Sequence, residues 1–107
     1  MKPVVRRDQA SRDAWHAAFW YFEQAGLAVA ERFTDALELA LRHLAEHPRS
    51  GSLSTAEHVG IQGLRRWRVG QFPYAINYLD RPDHVDVWRV LHNRRDLATE
   101  LDDEPEA

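Results

Sequence analysis

Near the end of the chain Arg89, His92, Arg94 and Arg95 fall within seven positions, beside Asn93 and Asp96. A histidine exchanges a proton near neutral pH, and flanking guanidinium groups hold an anion, so this grouping has the parts of a nuclease or phosphoryl-transfer site. Arg65, Arg66 and Arg68 extend the same basic stretch. The structural alternative is a turn whose arginines are solvated or paired with Asp96 and whose histidine ring makes a fixed hydrogen bond; the local sequence favours that alternative. His43 and His47, four apart, have a spacing that brings two imidazoles onto one metal. In His43-Leu44-Ala45-Glu46-His47, however, the glutamate precedes the second histidine instead of following the first, and no third ligand stands at a diagnostic distance, so no metal site is expected. Gly60 and Gly63 lack the lysine and hydroxyl residue of a phosphate-binding loop, and no cofactor is expected either. The absence of cysteine excludes thiolate nucleophiles, thiolate-bound metals and disulfides.

These residues sit in a stretch, Gly63 to Leu97, that reads as three consecutive strands, with aromatic and β-branched residues alternating with polar ones and breaks at Gly70-Gln71, Phe72-Pro73 and Asp80-Arg81-Pro82-Asp83. Trp67 and Val69 share a face of the first, and Phe72, Tyr74, Ile76 and Tyr78 a face of the second. In the third, Val85, Val87, Arg89 and Leu91 are expected to alternate with Asp86, Trp88, Val90 and His92. Apolar residues on both of its faces are the mark of a central strand, or of one covered on its second side by a partner.

A sheet must bury one face, and the cover has to come from upstream. From the acceptable N-cap Asp8, Trp15, Ala18, Phe19, Phe22 and Ala25 recur at spacings of three and four, predicting a first helix with an apolar stripe that Trp20 and Tyr21 widen. Gly26 ends it, and a second helix runs from about Leu27 to Glu46, with Val29, Phe33, Ala36, Leu37, Ala40, Leu41 and Leu44 on one side, closed by Pro48. The two make an antiparallel hairpin. Val4 and Val5 are expected to form a small edge strand, and residues 49–60 a loop crossing to the sheet.

The chain has 107 residues, room for one core. No apolar run approaches the roughly 20 residues of a membrane span, and no signal-peptide pattern follows Met1-Lys2-Pro3, which makes the cytoplasm the expected location. The net charge of -3 is unevenly spread: residues 61–96 hold seven arginines against four aspartates, whereas residues 97–107 hold five acids and no base. A single domain over 1–97 and a disordered acidic tail over 98–107 are expected. The locally basic sheet permits an anionic or acidic partner.

The order Phe33-x-x-Ala36-Leu37, Leu44-Ala45-x-x-Pro48-x-x-Gly51, Gly63-Leu64-Arg65 with Val69, Phe72-Pro73-Tyr74-x-Ile76-x-Tyr78 and Arg89-Val90-Leu91-His92-x-Arg94-Arg95-Asp96 resembles the ParE/RelE superfamily of type II toxins over about residues 3–97, and most of all its ParE branch. The resemblance implies an α+β domain of order β-α-α-β-β-β, a two-helix hairpin on a small twisted antiparallel sheet. It implies a toxin neutralised by a ParD-like antitoxin in a hetero-oligomer, reaching operator DNA only through that antitoxin, with no membrane partner. For the ParE branch it further implies poisoning of DNA gyrase, a protein-binding function without catalysis.

Two alternatives stay open: a ribosome-dependent messenger-RNA interferase of the RelE kind, and an inactive relative that only binds a partner. In the first, His92, Arg89 and Arg65 are the residues that fall in comparable regions, but the chain has a single lysine, Lys2, and no tyrosine after His92. Under the ParE reading, Arg94 and Arg95 are candidate contacts for gyrase or for acidic antitoxin residues. Trp20, Tyr21 and Trp88 are then candidate walls of an apolar groove for an amphipathic antitoxin helix.

Overall fold

The computed structural model describes residues 1–53 and 61–94. Strand β1 (Val4–Arg6) leads into helix α1 (Asp8–Ala25), helix α2 (Leu27–Glu46) and then strands β2 (Arg65–Arg68), β3 (Tyr74–Asp80) and β4 (Val85–His92). The expected acidic tail, and Arg95 with it, lie outside the described residues, as does the second half of the expected loop, 54–60. The spatial strand order is β1-β4-β3-β2. Sequential hairpins make β2, β3 and β4 antiparallel, while β1 returns from the far end of the chain to lie parallel to β4, pairing Val4 with Val85 and Arg6 with Val87. The sheet is therefore mixed, and β4 is central, in keeping with its apolar residues on both faces.

Both helices cover one face of the sheet. Helix α2 buries Ala30, Phe33, Leu37, Ala40, Leu41 and Leu44, a stripe at spacings of three and four. They meet Val69, Ile76, Tyr78, Val85, Val87 and Val90 from the sheet. Gly26 serves as the last cap of α1 and the first of α2; its φ of 91° is costly for any residue with a side chain, and the reversal takes no further residues. The loop after α2 is tied down by Tyr78, whose buried hydroxyl donates to the carbonyl of Pro48 at 2.8 Å and accepts the N–H of Gly51 at 2.9 Å. A Cβ on Gly51 would fall 2.6 Å from that hydroxyl and 2.9 Å from the Arg66 carbonyl, so only glycine fits there.

Strict alternation does not hold along β4. Between Asn77 and Tyr78 of β3 the pairing skips, Asn77 facing Arg89 while Tyr78 faces Val87, so Trp88 is an extra residue in a bulge. Val87 and Val90 thus both enter the main core, whereas Leu91 joins Leu64 and Leu79 in a second cluster that Trp88 and Ile61 flank. The expected faces hold as far as Val87 and are exchanged after the bulge, because one inserted residue inverts the phase of every side chain beyond it. Among the described residues no helix is long and apolar enough to cross a membrane.

Candidate functional site

The bulge decides what the basic residues of β4 can do. Beyond Arg6 no strand among the described residues lies beside the edge of β4, and Asp13 of α1 takes the place of one, its carboxylate accepting the N–H of Val90 at 3.0 Å. The same carboxylate binds Arg89 through two hydrogen bonds of 2.7 and 3.0 Å, and both side chains are at most about a tenth exposed. Arg89 is therefore a buried, ion-paired brace between α1 and the sheet. Arg65 donates to the carbonyls of Arg49 and Gly51 and so holds the loop after α2. His92 ends β4 with its Nδ1 accepting the backbone N–H of Arg94 at 3.1 Å, which leaves the proton of the neutral ring on Nε2; the ring meets Tyr74 edge-on. Each of the three nuclease candidates is thus engaged by a neighbouring element of the fold. Arg94 is exposed, at the mouth described next.

Between α1 and the ends of β3 and β4 lies a cleft of about 630 Å³, lined among others by Asp13, His16, Trp20, Tyr74, His92 and Arg94. Trp20 stands on its wall, 53% exposed, with its ring edge against Tyr21. Tyr21 turns inward onto Phe33, Phe72 and Tyr74, and burial together with the neighbouring Tyr74 hydroxyl raises its pKa above the ordinary tyrosine value. Trp88 is elsewhere, in the second cluster across the sheet: its Nε1 donates to Asp86 and the Arg7 guanidinium lies 3.9 Å over its ring. Trp20 and Tyr21 share one cleft, and the groove expected to include Trp88 is not formed.

The larger departure from expectation concerns the rest of α1. The residues facing the core are alanines, Ala10 and Ala17 fully and Ala14 and Ala18 in part, with Tyr21 as the large member. Small side chains let the helix lie close on the sheet. Trp15, Phe19 and Phe22, read as the packed stripe, instead point outward with 62%, 44% and 49% exposure. They form a ladder, Trp15 stacked on Phe19 with centroids 5.2 Å apart and Phe19 6.3 Å from Phe22. Both stripes satisfy helical periodicity, the alanines at spacings of three and four as well as the aromatic residues, so the period alone does not separate them. An aromatic strip of this kind left in water marks a surface for a partner.

His43 and His47 do stand together, rings 5.1 Å apart, but His43 is stacked on Trp67 and bonded to the Ser50 hydroxyl. Among the described residues no three potential ligands converge on a metal position.

With this geometry in place, comparison with known proteins is specific. The family described as ParE toxin of type II toxin-antitoxin system, parDE, matches residues 4–97. A solved structure titled "Chromosomal ParDE TA system from P. aeruginosa" superposes with a TM-score of 0.72 at 14% sequence identity, covering 86% of this chain and 96% of that one. No curated protein matches the sequence significantly.

Proposed function

This chain belongs to the ParE toxin family of type II toxin–antitoxin systems, and on that premise we propose that it poisons DNA gyrase by binding it and is held inactive by a ParD-like antitoxin. The observation that carries the antitoxin half is the ladder of Trp15, Phe19 and Phe22 beside the Trp20 cleft. A helix face with three large aromatic side chains 44–62% exposed forgoes about half of the roughly 1.5–3 kcal/mol that full burial gives each, which an amphipathic helix laid along it recovers. Arg94 at the cleft, with Arg95 following it in sequence, supplies positive charge for the acidic residues of such a segment.

The target half is supported by what the basic residues are doing. A ribonuclease needs its cations free to meet phosphate, whereas Arg89 is buried against Asp13 and Arg65 is spent on backbone carbonyls. That favours a toxin acting through protein contacts over a ribosome-dependent nuclease. The test is induced expression in a sensitive bacterium, with gyrase cleavage and supercoiling assays on purified protein and primer extension on cellular messenger RNA. Gyrase-dependent DNA breaks with intact transcripts are expected; transcript cuts in the ribosomal A site that vanish in His92→Ala would overturn the gyrase reading.

A further inference from the structure

The outward face of α1 carries charge as well as its aromatic ladder. Trp15, Phe19 and Phe22 follow at spacings of four and three; Arg12 stands seven residues before Phe19 and Glu23 four after it, so the helical period sets both on one flank of the ladder. Both are exposed, and among the described residues neither forms an ion pair. The face is thus apolar along its middle, positive towards its N-terminal end and negative towards its C-terminal end. A pattern of this kind is complementary to itself once one copy is turned end for end. A two-fold axis about half a residue before Phe19 sets Trp15 against the partner's Phe22 and brings the two Phe19 rings together. It leaves Arg12 and the partner's Glu23 about two residues apart along the helix, roughly 3 Å, which an arginine side chain spans.

We infer that the isolated toxin pairs through this face as an antiparallel two-fold dimer, α1 of one protomer lying on α1 of its partner. Charge selects a second copy as the occupant: a purely acidic segment laid here meets Glu23 and a purely basic one meets Arg12, whereas a reversed copy satisfies both. Charge also fixes the direction, since a parallel pair would set arginine on arginine and glutamate on glutamate. Ala10 and Ala17 face the core from the opposite side of the helix, so the ladder stands clear of the sheet. Three rings about half exposed offer on the order of 300 Å² per protomer. That makes the apolar centre of a small interface, standard ones taking about 800 Å² a side, and the dimer therefore separates on dilution. An antitoxin helix on the same face would take the place of the second copy, but the dimer itself depends on neither the antitoxin nor the gyrase proposal.

Sedimentation equilibrium of the full-length toxin between about 5 μM and about 1 mM reads the association. The parent should pass from monomer to dimer and go no further. Arg12→Glu alone and Glu23→Arg alone should each weaken dimerisation at least tenfold, because each sets two pairs of like charges across the axis. An equimolar mixture of these two variants should regain the parent's association, as should Arg12→Glu combined with Glu23→Arg, since both restore opposite charges at both contacts. The two positions are exposed, so the melting temperature at the lowest concentration should stay at the parent's value. A parent that remains monomeric throughout, single reversals that leave association unchanged, or a mixture that fails to regain it would each overturn the proposal. All of this is read without gyrase or antitoxin, so the outcome is separate from that of the proposed function.

Discussion

Asp13 satisfies two buried donors at once, the Val90 N–H and the Arg89 guanidinium. Removing it takes away the carboxylate that a buried guanidinium and a buried amide share, in a site at most about a tenth exposed, and breaking a buried pair in this way costs about 3–5 kcal/mol. Asp13→Ala should therefore lower the midpoint of a thermal melt by more than about 10 °C, while Asp13→Asn, which keeps an acceptor for Val90, should lose less. Asp86 presents a different balance. Burial by itself raises its pKa, but hydrogen bonds from Arg7, Arg81 and the Trp88 indole outweigh burial and hold it below the ordinary aspartate value. A carboxylate depressed in the folded state stabilises the protein fully above its unfolded pKa of about 3.9, and the contribution is lost as pH falls through the lower folded value. Melting temperature should accordingly fall more steeply between pH 5 and pH 2 in the parent than in Asp86→Asn, which starts lower at pH 7; parallel slopes would remove Asp86 from the account.

At the level of elements, the two helices differ in how they are held. Helix α2 inserts Phe33, fully buried, against Tyr21, Phe72 and Tyr74, so Phe33→Ala should cost about 3–5 kcal/mol, and a shift in melting midpoint under about 2 °C would contradict the packing described. Helix α1 lies on the sheet through alanines and carries its aromatic mass outside. The periods that located both helices were legible in the sequence because Gly26 and Pro48 punctuate them and α2 has a single apolar side. Which side of α1 is buried was not legible, since two stripes fit one period and size alone favours the wrong one; only the pairing with a sheet decides for the alanines. The same limit applies to β4. Alternation located the strand and its central place, but the bulge at Trp88 depends on pairing with Asn77 and Tyr78, residues contributed by another strand. The cleft shows a similar division: Trp20 and Arg94 were legible as surface candidates, whereas Asp13, an ordinary helix acid in sequence, owes its role to the edge that β1 leaves open.

For the molecule as a whole, the proposed docking of an antitoxin on the aromatic ladder ties behaviour in solution to that partner. Trp15→Ser with Phe19→Ser should increase the soluble, monomeric fraction of isolated toxin and weaken antitoxin binding at least tenfold, with little change in melting temperature because neither side chain enters the core. Chromatography with light scattering and calorimetric titration read both effects; unchanged antitoxin affinity would move the contact elsewhere. The mixed sheet carries a consequence for synthesis. Strand β4 is one of its two inner strands and, among the described residues, the only sheet neighbour of β1, with Val4 beside Val85. Eighty-one residues separate those partners, an interval that a ribosome working at about 5–20 residues per second takes roughly 4–16 s to cover. During that time the helical hairpin can form but has no completed sheet to close on, so a growing chain is inert until its last strand arrives, and one halted before Val85 never becomes a toxin.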